Sequence, residues 1–202
     1  MTPPFALPWL LAAACAVALA FNSRPAIGSP PAISSTLRGT VVQVLDGDSL
    51  RVRLESGPIE VRLHAADAPE YDQPGGREAR RALARRLAPG TIVELEPIEQ
   101  DRYERIVAIV HAGAEDVNAW VVQQGHAWAY RHYTTDERYC RWEDEARQAK
   151  RGLWQLPAHS RIAPWDWRRR ARDPAFQMPQ RSSDTLPECL ASLHARSDSS
   201  PR

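Results

Sequence analysis

Three short alternating apolar runs, one amphipathic helix and two more alternating runs predict an α+β chain in which five strands close into a small Greek-key barrel. Each run is bounded by Gly, Pro or Asp, as strands of a compact barrel are punctuated in sequence. Two later segments with helical apolar spacing bring the expected helices to three. The OB-fold is the architecture of this size and order.

The first residues read as an export signal. "LPWLLAAACAVALAF" is apolar but short for a membrane span and ends in Ala18-Leu19-Ala20, a small-x-small cleavage pattern. Residues 1–20 are therefore a signal peptide or, because "MTPPFA" carries no Lys or Arg, an uncleaved N-terminal anchor. Residues 21–37 are Pro/Ser-rich and aperiodic, a linker. The domain is expected over residues 38–156, with strands at Thr40 to Leu45, Leu50 to Glu55, Ile59 to Ala65, Thr91 to Glu96 and Arg105 to His111. In "GGREARRALARRLAPG", Ala79, Leu83 and Leu87 recur at helical spacing and Pro89-Gly90 stops the run. The other helices are expected across Asn118 to Gln124 and from Asp136 to Arg151. In the second of these Tyr139, Trp142, Ala146 and Ala149 form a stripe closed by Gly152. Residues 157–202 turn Pro-, Arg- and Ser-rich and are expected to pack in part.

A chain of 202 residues, 43% hydrophobic and 25% charged with net charge +1, fits one globular domain with tails. That balance neither marks nor excludes a nucleic-acid partner, since Arg gathers locally at Arg77 to Arg86 and Arg161 to Arg170. Cys15 lies in the leader and is a weak lipid-attachment signal. Cys140 and Cys189 are left as a candidate disulfide in an oxidising compartment, or as two unpaired thiols.

The chemistry gathers at strand ends. "VQVLDGDSLRVRL" places Asp46 and Asp48 around Gly47, a hairpin signal in which the glycine tolerates positive φ. "VRLHAADAPE" delivers Asp67 and Glu70 around Pro69, which biases Ala68 to an extended conformation. Each acid alone reads as a surface turn residue. Together, Asp48 and Asp67 can share one hard cation, with Glu70 a step further out and Arg62 as counter-charge. Arg105, opening the strand in "DRYERIVAIV", brings a second guanidinium. Two arginines, a carboxylate and an oxygen-ligated Ca²⁺ suit phosphoryl transfer to water, and the lack of a His or Cys cluster beside the acids argues against Zn²⁺.

"VLDGDSLRV", "VRLHAADAPE", "DRYERIVAIV", "DVNAWVVQQGHAWAY" and "EDEARQAKRGLW" resemble, in order and spacing, the successive motifs of the thermonuclease family of staphylococcal-nuclease-like domains. The resemblance covers Arg38 to Trp154 and implies an OB-type barrel with three helices. It also implies Ca²⁺-dependent hydrolysis of DNA and RNA that leaves 3′-phosphates. Matched by position, Asp48 and Asp67 are metal carboxylates, Ala68 gives a backbone carbonyl to the ion, and Arg62, Glu70 and Arg105 are catalytic. Asp46 matches an acid near the metal and reads here as loop support. Arg102, Tyr103 and Tyr130 resemble substrate-binding residues, although surface solvation for the arginine and packing for the tyrosines fit equally.

Ser49 and Ala68 depart mildly from the family pattern. Glu104 departs more, since it occupies a family glycine. A positive φ is expected there, with a carboxylate competing for Arg105. A non-catalytic nucleic-acid-binding OB module and a structural envelope protein are the alternatives, and the joint presence of acids and catalytic trio counts against both. The expected chain is a secreted or periplasmic monomer that meets DNA and RNA without a stable protein partner, and meets a membrane if the leader stays uncleaved.

Overall fold

The computed structural model describes residues 36–177 and 185–197, so the leader and all but the last residues of the linker lie outside the described residues. In chain order the elements are β1 (Leu37–Val44), β2 (Ser49–Leu54), β3 (Gly57–Leu63), β4 (Ala66–Asp67), α1 (Gly76–Arg86), β5 (Ile92–Gln100), β6 (Ile106–Ala112), β7 (Glu115–Asp116), α2 (Val117–Gln123), β8 (Trp128–Ala129), α3 (Glu137–Gln148), α4 (Pro164–Arg172) and α5 (Leu186–Ser197). The five expected strands are β1, β2, β3, β5 and β6, with ends moved by a few residues, and the three expected helices are α1, α2 and α3.

Strands β1, β2 and β3 form an antiparallel meander, β5 pairs with β1, and β6 pairs with β5. The sheet closes because β6 also runs parallel to β3, from Val61↔Ile106 to Leu63↔Ala108. Closure leaves the barrel no free edge. Period-two alternation turns Leu50, Val52, Val61, Leu63, Val93, Leu95, Ala108 and Val110 inward, while Arg53, Glu94 and Glu96 stay exposed. A register shift between Val41 and Gln43 lets Val41 and Val44 both face the core. Pro97, with no N–H to donate, sits at a second shift.

Helices α2 and α3 begin at aspartate caps: Asp116 accepts from the Ala119 N–H at 3.0 Å and Asp136 from the Arg138 N–H at 2.9 Å. Among the described residues no helix is long and apolar enough to cross a membrane.

The chain beyond the expected third helix folds against the domain, contributing α4 and α5. Cys140 of α3 is bonded to Cys189 of α5, and Cys189 and Leu193 join Tyr139 in the core. A second cluster of Trp128, Ala146, Leu153, Trp154 and Ala163 receives Trp165 of α4. Trp154 and Trp165, on an otherwise polar and arginine-rich stretch, therefore act as anchors.

The Cys140–Cys189 bridge spans 49 residues, and closing a loop of that length removes about 4 kcal/mol of unfolded-state entropy in the simple chain model. Intact mass of unreduced protein should be two hydrogens below the reduced mass, and reduction should lower the melting temperature. Two freely alkylated thiols in unreduced protein would contradict the bridge.

Candidate active site

Asp48 is placed by the loop between β1 and β2. Asp46 Oδ1 accepts from the Asp48 N–H at 3.0 Å and from the Ser49 hydroxyl at 2.6 Å, so Asp46 shapes the loop. Gly47 does not take the positive φ expected of the hairpin glycine. Its need is space: a Cβ there would lie 2.5 Å from the Ala68 Cβ and 2.9 Å from the Ala79 Cβ. The loop thereby presses onto Ala68, whose N–H donates to Asp48 Oδ2 at 2.7 Å.

Asp67, fully buried, is fixed by the short pairing of β4 with β8. Arg62, on β3, forks between the two acids: Nη1 reaches Asp48 Oδ1 at 2.8 Å and Nη2 reaches Asp67 Oδ1 at 2.7 Å. Glu70 follows on the loop into α1. Gly76 touches that loop so closely that a Cβ would lie 1.8 Å from the Glu70 carbonyl oxygen, so the helix start sets where Glu70 stands.

Arg105 enters from the start of β6. Asp101 holds its side chain, with Oδ2 accepting from Nε at 2.8 Å and from Nη2 at 2.7 Å. Asp101 Oδ1 also accepts the N–H groups of Tyr103 and Arg105. Glu104 has the expected positive φ, 65°. It does not compete for Arg105, since the guanidinium pairs with Asp101 and no ion pair of Glu104 occurs among the described residues.

Arg62, Glu70, Arg105, Asp48 and Ala68 line one open cavity of about 700 Å³, together with Arg102, Tyr103 and Tyr130. Tyr103 is 63% exposed and accepts from Arg102 Nη2 at 2.7 Å. Tyr130 lies nearly parallel to Trp165, ring centres 5.9 Å apart and planes at 10°, so part of its stacking surface is used within the protein.

Arg168, on α4, is also in this cavity and escapes the sequence reading. It holds both Asp67 oxygens, through Nη2–Oδ2 at 2.7 Å and Nη1–Oδ1 at 3.1 Å, and reaches Glu70 Oε1 at 2.9 Å. The available signal was Pro164 as a helix start, with Trp165, Arg168 and Arg172 at spacings of three and four behind it.

The model of the family described as staphylococcal nuclease homologue matches residues 60–156. A micrococcal nuclease of Shigella flexneri is 40% identical over 147 residues, spanning 67% of this chain and 83% of the relative. The protein ParB of Escherichia coli is 37% identical over 175 residues, spanning 81% and 93% respectively. The chain belongs to the staphylococcal nuclease homologue family. An uncharacterized endonuclease of Escherichia coli, 38% identical over 145 residues and matched over 93% of its length, is a further relative. As a member of this nuclease family the chain is a hydrolase of phosphodiester bonds. Arg62, Asp67, Ala68, Glu70 and Arg105 lie within the residues matched by this staphylococcal nuclease homologue model, while Asp48 precedes them and Arg168 follows.

The electrostatics of this nuclease site turn on burial. Burial pushes the Asp48 carboxyl up from 3.8 to about 8, with Arg62 pulling against it and Asp46 and Asp67 adding to the rise. Burial also opposes the charges of Arg62 and Arg168, but the acids they touch outweigh it and both guanidiniums are pushed up. Among the described residues no three His, Cys, Asp or Glu side chains come together as a metal site. What is present is a pair of hard carboxylates, Asp48 and Asp67, beside the Ala68 backbone. When ionised, Asp48, Asp67 and Glu70 outnumber the two arginines that touch them, and Asp46, in no ion pair among the described residues, adds a further negative charge. That donor set and its surplus of negative charge fit a hard divalent cation sharing ligands with backbone and water.

Because the folded-state value of Asp48 lies above its ordinary value, folding takes up a proton there between pH 3.8 and about 8. Asp48 thus leaves metal-free protein most stable below that window, costs stability as pH rises through it, and adds no further loss above it. Asp48→Asn should raise the melting temperature of metal-free protein at pH 8 and flatten its fall with pH. An Asn variant melting lower at pH 8 would contradict this. At Glu104, replacing a left-handed residue by Gly should stabilise by about 0.5–1 kcal/mol, net of the freedom gained by the unfolded chain, as read from denaturant midpoints.

Proposed function

We propose that this chain is an exported, Ca²⁺-dependent nuclease that cleaves DNA and RNA and leaves 3′-phosphates. The observation that carries the reading is the convergence of Arg62, Glu70 and Arg105 from three separate parts of the chain onto one open cavity beside two buried acids. Asp48, Asp67 and the Ala68 carbonyl would hold the ion. Bound there, Ca²⁺ would polarise a phosphate oxygen and lower the charge the acids present to a polyanion.

The chain's own groups supply the rest. Glu70, at the mouth with its side chain 41% exposed, accepts a proton from the attacking water. Arg62 and Arg105 donate to the phosphate oxygens, where charge builds as water adds to phosphorus. Departure of the 5′-oxygen leaves the phosphate on the 3′ side. Arg102, Arg105 and Arg172 surround the acidic centre and favour entry of a polyanion. Tyr103, exposed at the rim, offers a ring to a base, a contact indifferent to sequence and to sugar. Export agrees with the Cys140–Cys189 bridge, a bond that persists in oxidising compartments.

Purified protein should degrade single- and double-stranded DNA and RNA on gels with Ca²⁺ and should stop when the ion is chelated. Activity undiminished in excess chelator would refute the metal. Glu70→Gln, Arg62→Ala and Arg105→Ala should each slow cleavage by about two orders of magnitude or more, the scale for loss of a general base or a transition-state donor. Wild-type turnover in any of the three would remove that residue from the trio.

A further inference from the structure

Helix α4 carries a face that its composition conceals. Trp165, Arg168 and Arg172 sit at spacings of three and four, and all three line the cavity of the catalytic trio. The helix is anchored independently of its arginines. Trp165 packs on Tyr130 and, edge to face, on Trp128 at 5.9 Å, and the segment before the helix is tied down where Gln73 Nε2 donates to the Ile162 carbonyl. Arg168 is thus delivered by a docked element to a defined place.

There it meets the two acids on either side of Ala68. One fork closes on both oxygens of Asp67, and Nη1 also reaches Oε1 of Glu70 at 2.9 Å. Among the described residues Glu70 Oε2 has no hydrogen-bond partner, and Glu70 lines the cavity. Asp67 does not depend on Arg168 for charge compensation, since Arg62 already contacts it at 2.7 Å. Glu70 does: among the described residues Arg168 is the cation that touches it.

We propose that Arg168 is a positioning residue for the nuclease reaction, holding Glu70 by one carboxylate oxygen so that the other faces the attacking water. Asp67, buried and rigid, is the fixed post against which the fork is braced. The α4 segment, which lies beyond the residues matched by the family model, is thereby part of the active site. This assignment rests on the nuclease reading of the same cavity.

The test is steady-state cleavage of an oligodeoxynucleotide by the full chain with Ca²⁺, comparing wild type, Arg168→Gln, Arg168→Lys, Glu70→Gln and the double Glu70→Gln/Arg168→Gln, each checked by thermal melting. Arg168→Gln should lower kcat by about 10- to 100-fold, the scale of a misplaced catalytic group, with little change in KM. Arg168→Lys keeps the charge but not the fork and should recover part of the loss. The double variant should be no slower than Glu70→Gln, because a residue acting through Glu70 has nothing left to position.

Losses that multiply in the double variant would overturn the assignment. So would a raised KM at unchanged kcat, which marks a phosphate ligand, or a raised kcat, which marks a plug. Loss of the folded transition in both Arg168 variants would make Arg168 a structural strut instead. A wild type that does not cleave would remove the nuclease reading itself, and the positioning role with it.

Discussion

Two buried carboxylates held within reach of one guanidinium set the terms for the rest of the molecule. Asp48 and Asp67 come from different parts of the barrel, yet Arg62 touches both within 2.8 Å. Burying acids this close is costly unless positive charge and hydrogen bonds accompany them. The structure answers with the Arg62 fork, the Ala68 N–H and a second guanidinium on Asp67, that of Arg168. A divalent cation, as proposed for this site, would relieve the remaining negative charge.

The barrel makes that closeness possible. The β1–β2 loop is pressed onto Ala68 by a glycine with no room for a Cβ, while β4, fixed by its pairing with β8, carries Asp67. Parallel pairing of β3 with β6 sets Arg62 directly beside Val107, two residues beyond Arg105. Rigid elements thus carry the groups that must keep their geometry. The exposed groups proposed to meet substrate, Arg102 and Tyr103, lie on the turn before β6.

Much of this was legible from residue order. Alternating runs bounded by turn residues gave away the strands, because a half-buried strand must alternate whatever its partners. Asp48, Asp67, Arg62, Glu70 and Arg105 stood out because acids and arginines at strand ends suggest chemistry, and their motifs resemble a family. Three features were hidden for physical reasons. Gly47 is required by a contact with Ala68 and Ala79, far along the chain, and no local pattern reports such an approach. Arg105 pairs with Asp101 and not with its neighbour Glu104, because the tight turn curls back on Asp101. Helix α4 was obscured because its composition is that of a solvated tail, and its docking depends on three tryptophans meeting in space.

In the proposed reaction the site directs water at phosphorus and expels the 5′-oxygen, and both events are read by cleaving a DNA oligonucleotide in ¹⁸O-enriched water and resolving the products by mass spectrometry. One ¹⁸O atom is expected in each new 3′-phosphate, with a free 5′-hydroxyl on the other fragment; label in a 5′-phosphate, or cleavage without incorporation, would overturn that mechanism.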